Sequence, residues 1–379
     1  MLAPPPLPRT LEASIRDLGS TKPQVRASAI ADLARHATSN EATRARAIPL
    51  FEKALHDDTP GVRSAAAVAL ADLAAHEALP ALLVAVEDAD QHVRQMALSA
   101  LGEIGDARAR QRIERALADA RPEVRYQALI AFARIAKSAP SDVAAALEHA
   151  MTDKDDAIRY IALRIAEEHA IDSASLNERA HEALADTHDS VALAAALFLA
   201  RPLARPIAPP LTHPSRRTDA AIADAKKTIA KLIAGGMRKP EREDEQAALE
   251  LSGELGMREA IGDLERRAWG LGRMVRETCE WHAKIALARM GHPRAMSEIL
   301  ADLGSWRRET RQAAVVAVGR ARMSEARAKI EALKDGEVDP ALVAAALDAL
   351  DGADADARVA PHAQHESDAS DVNDAEPNR

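Results

Sequence analysis

A short phrase returns along this chain about every 31 to 37 residues: Asp, four residues, Val or Ile, Arg, then an Ala-rich apolar run. It reads Asp57…Val62-Arg63, Asp88…Val93-Arg94, Asp119…Val124-Arg125 and Asp153…Ile158-Arg159. Asp186…Val191 keeps the spacing with Ala192 in place of Arg. A fixed period of this length argues against one globular core. Each copy is a supersecondary unit that buries its apolar face only against the copies beside it.

With the Val of the phrase as position zero, ten units stand at Val25, Val62, Val93, Val124, Ile158, Val191, Asp244, Cys279, Thr310 and Leu342. Apolar residues fall at positions zero, four, five and eight, as in Val93, Ala97, Leu98 and Leu101, which is a helical stripe. Pro23, Pro60, Pro122 and Pro340 lie two residues before position zero, where proline suits the first turn of a helix. Gly105 and Gly291 stop the helix as left-handed caps would. The preceding amphipathic runs, such as 79–86 and 113–117, supply a first helix to each unit. The registers at Asp244 and Cys279 rest on their endings, since Ser252-Gly253-Glu254-Leu255-Gly256 mirrors Leu101-Gly102-Glu103-Ile104-Gly105. A content that is 47% hydrophobic but only 2% aromatic suits helices approaching closely over small side chains. The expected fold is all-α: an α-solenoid superhelix of about ten two-helix repeats.

The Asp of the phrase, at position −5, and the Arg at +1 (Arg26, Arg63, Arg94, Arg125, Arg159, Arg311) give the repeat its signature. This pattern resembles the HEAT-repeat family of armadillo-type folds, in its short bacterial form similar to phycobilisome lyase repeats, over most of residues 10–351. The resemblance implies that Asp57, Arg63, Asp88, Arg94, Asp119, Arg125, Asp153 and Arg159 form a structural ladder between units. It implies a break where Glu245 and Glu280 replace the Arg. A carboxylate repeated five times at one offset is expected to satisfy turn amides and guanidinium groups rather than to catalyse.

Five organisational segments are expected. They are a disordered lead-in at 1–9 with four prolines, repeats one to six at 10–200, a Pro/Arg-rich insertion at 201–218, repeats seven to ten at 219–351, and an acidic disordered tail at 352–379. Five prolines in the insertion forbid helix there, and the segment reads as either a tolerated surface insertion or a docking strap. The net charge is −9, and the tail concentrates seven of the acids. That balance argues against duplex nucleic acid as a partner. No 18-residue apolar run and no signal-type start are found, so no membrane partner is expected and a cytoplasmic location is. The single cysteine, Cys279, fits a reducing compartment, and the wealth of Ala and Arg is associated with bacterial genomes.

The search for chemistry finds little. His76-Glu77, His181-Glu182 and His365-Glu366 share no repeat position, so they do not converge as a metal site. No phosphate loop, nucleophile elbow or Cys-x-x-Cys occurs, and no cofactor, metal or catalytic residue is expected. Cys279 falls at the inward position zero and reads as an inert thiol. Both tyrosines, Tyr126 and Tyr160, and Trp281 fall two residues after position zero, outward on the face of the second helices. They are the candidate partner-binding residues, since Tyr and Trp most often anchor interfaces. The expected function is a non-enzymatic scaffold or adaptor holding a partner protein on the concave face. The alternative that the resemblance raises is a bilin-lyase-like enzyme or enzyme subunit.

Overall fold

The computed structural model describes residues 9–136, 139–201, 218–238, 240–270, 279–333 and 338–359. Among these residues every regular element is helical. The helices pair as the repeat requires: α1 (Leu11–Asp17) with α2 (Pro23–Thr38), α3 (Glu41–Ala54) with α4 (Pro60–Asp72), and α5 (Leu79–Ala85) with α6 (Gln91–Ile104). Then come α7 (Arg110–Ala116) with α8 (Pro122–Ile135), α9 (Pro140–Ala150) with α10 (Asp156–Glu168), and α11 (Ala174–Ala183) with α12 (Asp189–Ala200). The remaining pairs are α13 (Asp219–Ile233) with α14 (Arg242–Glu254), α15 (Ile261–Trp269) with α16 (Glu280–Arg289), α17 (Pro293–Asp302) with α18 (Arg308–Ala321), and α19 (Arg327–Glu331) with α20 (Pro340–Val359). The chain divides into two compact units; the first ends at Ala194, and the second takes the rest of α12 and resumes at Thr218.

Each unit is an α-solenoid stack. In the first, α2, α4, α6, α8 and α10 pack as a row of second helices, with α3, α5, α7 and α9 each against its own partner. In the second, α14, α16, α18 and α20 form the equivalent row. Position zero is the third residue of its helix in nine of the ten units. The stripe it opens is the core: Val93, Ala97, Leu98 and Leu101 are fully buried. Such burial stabilises by roughly 1.5–3 kcal/mol per large aliphatic side chain. Pro23, Pro60, Pro122 and Pro340 are the first residues of their helices, where the missing N–H leaves no helical bond unmade.

The helix ends obey one rule. Position +12 is left-handed in six repeats: Ala74, Gly105, Ala170, Gly256, Gly291 and Arg322 have φ of 46, 72, 50, 61, 79 and 54°. The next N–H donates to the carbonyl five residues back at Ala75, Ile171, Met257, His292 and Met323, over 2.9–3.1 Å, closing the motif that satisfies the last carbonyls. Gly256 and Gly291 at this position support the registers assigned to Asp244 and Cys279. Cys279 itself departs from the pattern. It is the N-cap of α16, with φ of 52°, instead of lying inside the helix, because left-handed backbone cannot continue a right-handed turn.

Three boundaries differ from expectation. Arg9 is not loose: its guanidinium donates to Asp17, Ser28 and Asp32, and its carbonyl meets the His36 ring. Helix α20 runs eight residues past 351, because Ala353, Ala355 and Ala357 favour helix more than the flanking acids oppose it. Thr218, placed in the insertion, caps α13 by accepting from the Ala221 N–H. Residues 1–8, 202–217 and 360–379, which hold most of the lead-in, insertion and tail, lie outside the described residues.

Candidate partner-binding face

The ladder lies along the turn edge of the first unit. Arg26, Arg63, Arg94, Arg125 and Arg159 each donate two parallel hydrogen bonds, through Nε and Nη2, to Asp57, Asp88, Asp119, Asp153 and Asp186 of the following repeat. The distances run from 2.6 to 3.1 Å, the fork-to-fork geometry of a strong guanidinium–carboxylate pair. The third arm, Nη1, turns back: Arg63, Arg94, Arg125 and Arg159 reach the carbonyls of Asp57, Asp88, Asp119 and Asp153 at 2.9 Å. Each of the five Asp also accepts the N–H two residues on, at 2.8–2.9 Å. One residue pair therefore fastens its own turn and the next repeat together.

Burial alone would raise the Asp119 carboxyl. The Arg94 hydrogen bonds and the Arg121 N–H outweigh it and hold the group below the ordinary carboxylate range. Asp88, Asp153 and Asp186 show the same balance with Arg63, Arg125 and Arg159. The run ends where Ala192 replaces the Arg, and Ala192 is buried. Beyond it the chain changes device. Glu245 takes a hydrogen bond from Arg267 of α15, whose other nitrogens donate to the carbonyls of Leu232 and Ile233 at 2.6 and 2.8 Å. Glu280 pairs instead with Lys284 at 2.7 Å. In repeat nine Arg311 makes the turn-fastening arm, to Ser305 O at 2.6 Å.

With the turns held in register, the second helices of the first unit come close. Gly102 of α6 lies against Ala131 of α8, where an added Cβ would stand 3.0 Å from the Ala131 Cα. The outward positions of α8 and α10 carry Tyr126 and Tyr160, both half-buried, on adjacent helices. Met96 and Ile130 are also half-buried, and Val68 is exposed. A cavity of about 310 Å³ opens between α4 and α6, lined by Val68, Ala71, Asp72, Met96, Ser99 and Glu103. Glu103 is tied to Arg134 across to α8. On α12 the same positions, Leu193, Ala194 and Leu197, are fully buried.

Trp281 belongs to the second unit, and the tyrosines to the first. Its ring has the chain's own Lys284 at 5.4 Å from the centroid. Burial would lower the Lys284 pKa, but Glu280 at 2.7 Å and Glu298 at 3.1 Å reverse the sign and hold it raised. Glu298 also accepts from the Trp269 indole at 2.8 Å and from Arg294. These donors overcome its burial and bring it down to about 2. Arg294 stacks on Trp269 at 4.1 Å.

A second constellation on the second-helix row of this unit escaped the sequence. The Glu250 carboxylate of α14 takes hydrogen bonds from His282 Nδ1 of α16 and Arg320 Nη1 of α18, each at 2.6 Å. They border a cavity of about 390 Å³ whose lining includes Glu243, Gln246 and Glu254. Burial would raise Glu250, yet these two partners hold it low. The three residues occupy positions +6, +3 and +10 of different repeats. A comparison of like with like positions never groups them; only the outward helical face that they share would have.

Among the described residues no set of three or more His, Cys, Asp or Glu is placed to hold a metal ion. Glu77, beside His76, pairs with Arg44, and His365-Glu366 lies outside the described residues. The Cys279 thiol is buried and pushed up, first by desolvation and then by Glu245, away from nucleophilic use at neutral pH. No helix among the described residues is long and apolar enough to cross a membrane.

Paired helices, a laddered turn edge and a row of second helices define an α-solenoid built of short repeats. The family model for HEAT repeats matches residues 11–91 and 80–166. Residues 11–166 are therefore HEAT repeats. Among solved structures it is similar to an engineered protein at 19% identity and a TM-score of 0.41, covering 90% of this chain and 98% of that one. It is also similar to the complex of CpcE and CpcF of phycocyanin lyase from Nostoc sp. PCC7120, at 20% identity and 0.41, covering 70% of this chain and 96% of that one. Importin beta matches at 14% identity and 0.49, over 90% of this chain and 51% of that one. No curated protein sequence matches the chain.

Proposed function

We propose that this protein is a non-enzymatic scaffold that holds a partner protein on the second-helix face of its first unit, the face that is concave in solenoids of this kind. The observation that supports this reading is the pair Tyr126 and Tyr160. They occupy the same outward position on consecutive second helices, and both are half-buried. Aromatic side chains with one apolar side and one wet end supply contact area at little entropic cost, as interface anchors require. The Arg125–Asp153 rung ties α8 to the turn before α10, which supports a face held in register before a partner arrives.

Capture from native lysate tests the reading. The parent chain and a Tyr126→Ala/Tyr160→Ala variant of equal helix content are immobilised, and bound proteins are identified by mass spectrometry. The expected result is a protein held by the parent and reduced at least tenfold with the variant. Equal capture by both would remove the tyrosine face from the proposal.

A further inference from the structure

The cavity between α4 and α6 is not used by the tyrosine pair, and its walls have a chemistry of their own. Along α4, Val68 is followed one turn later by Asp72; along α6, Met96 is followed by Ser99 and then Glu103. Each wall therefore runs from an apolar side chain to a carboxylate as it nears the end of its helix. Val68 is 40% exposed, so the apolar end is open to a partner. Glu103 is occupied by Arg134 of α8. Asp72 is exposed, and no cation among the described residues pairs with it.

A gap left where helices pack over small side chains explains the volume, since Ala71 and Ser99 line it. It does not explain the acids. The C-terminal end of a helix carries partial negative charge and favours a base in its last turn. The helices on either side, α2 and α8, follow that rule with Arg35 and Arg134. By contrast, α4 ends on Asp72 and α6 on Glu103-Ile104, and neither has a base in its last turn. Two helix ends and an unpaired carboxylate thus bring negative potential to one rim of the cavity. For α4 that arrangement is unfavourable, and no ion pair among the described residues offsets it.

We infer that this cavity receives one Lys or Arg side chain of the partner, its stem against Val68 and Met96 and its cationic head at Asp72. The inference rests on the proposed scaffold face and adds to it one subsite and its chemistry. Lys and Arg bury an apolar stem while keeping the charged head in the open, which is the order the two walls present. One helical turn, about 5.4 Å, separates Val68 from Asp72, a span that the four-carbon stem of lysine suits. A volume of about 310 Å³ lies at the lower end of cavities that take small ligands, about 300–1,000 Å³, and fits a single side chain. An apolar occupant would leave Asp72 without a counter-charge, and an acidic one would meet like charge.

The n-pentylammonium ion carries such a stem and head alone and provides the probe, with n-pentanol as the uncharged control. The full chain, isotope-labelled at its methionine methyl groups, is titrated with each and followed by NMR, the Met96 signal being assigned from Met96→Leu. A saturable shift of the Met96 methyl with pentylammonium is expected. Pentanol, and pentylammonium on Asp72→Asn of unchanged helix content, are each expected to bind at least fivefold more weakly. Absence of a Met96 shift, an equal response to pentanol, which would make the occupant apolar, or parental affinity in Asp72→Asn overturns the inference. Lysate capture separates this failure from that of the scaffold reading. A partner lost with Tyr126→Ala/Tyr160→Ala but fully retained by Asp72→Asn leaves the face standing and removes the basic side chain.

Discussion

Asp119 shows how much one side chain does in this protein. It fastens its own turn through the Arg121 N–H, takes the fork of Arg94 from the repeat before, and is about one-sixth exposed. Asp119→Asn keeps the shape but loses the charge that the fork needs, and is expected to cost about 1–3 kcal/mol in denaturant unfolding at pH 7. Because the folded carboxyl is held below its ordinary value of 3.8, its stabilisation is full above that pH and fades as pH falls through the lower folded value. The gap between variant and parent should therefore close in acid; a gap that persists at pH 2 would contradict the assignment. The residue types and offset of this ladder were legible in the sequence, since Asp at −5 and Arg at +1 recur together. That each Arg serves the next repeat's Asp came from the family resemblance, and its third arm to the local carbonyl had no signal in side-chain types.

At the scale of the helix, the repeat is punctuated at both ends, and only one end is spelled uniformly. Proline opens four of the second helices, whereas the left-handed position +12 is Gly in three repeats but Ala74, Ala170 and Arg322 in others. Glycine residues announced this site in the sequence; the other three were invisible because the motif is set by backbone bonds, not by side-chain type. An L-residue there carries roughly 1–2 kcal/mol of backbone strain, partly offset by the extra entropy that Gly loses on folding. Arg322→Gly is thus expected to stabilise by about 0.5–1 kcal/mol in denaturant melts, and a loss of stability would show that the Arg322 side chain carries more than its backbone costs. The same local control explains where helix boundaries strayed. Cys279 caps α16 from a left-handed conformation, and α20 continues on alanines into a segment whose acids suggested disorder. Element type followed from the 3.6-residue period; the ends depended on caps and on Ala content.

For the whole molecule, the period was enough to establish stacked helix pairs, but not to find every grouping made across repeats. The Glu250–His282–Arg320 cluster joins residues from three second helices at unlike positions, so it emerged only once α14, α16 and α18 lay side by side. Tyr126 and Tyr160 were legible because they share one position in successive repeats, and Trp281 falls in the other compact unit. The proposed function makes the second-helix row of the first unit the working face of the protein. Photo-crosslinking in native lysate tests it directly, with benzoylphenylalanine placed at Tyr126 in one variant and at Val84 in another. Val84 lies on the first helix α5 and is 63% exposed, so it reports the opposite kind of surface at higher accessibility. A discrete protein adduct is expected from position 126 and none from position 84. The same adduct from both positions, or one from position 84 alone, would contradict it.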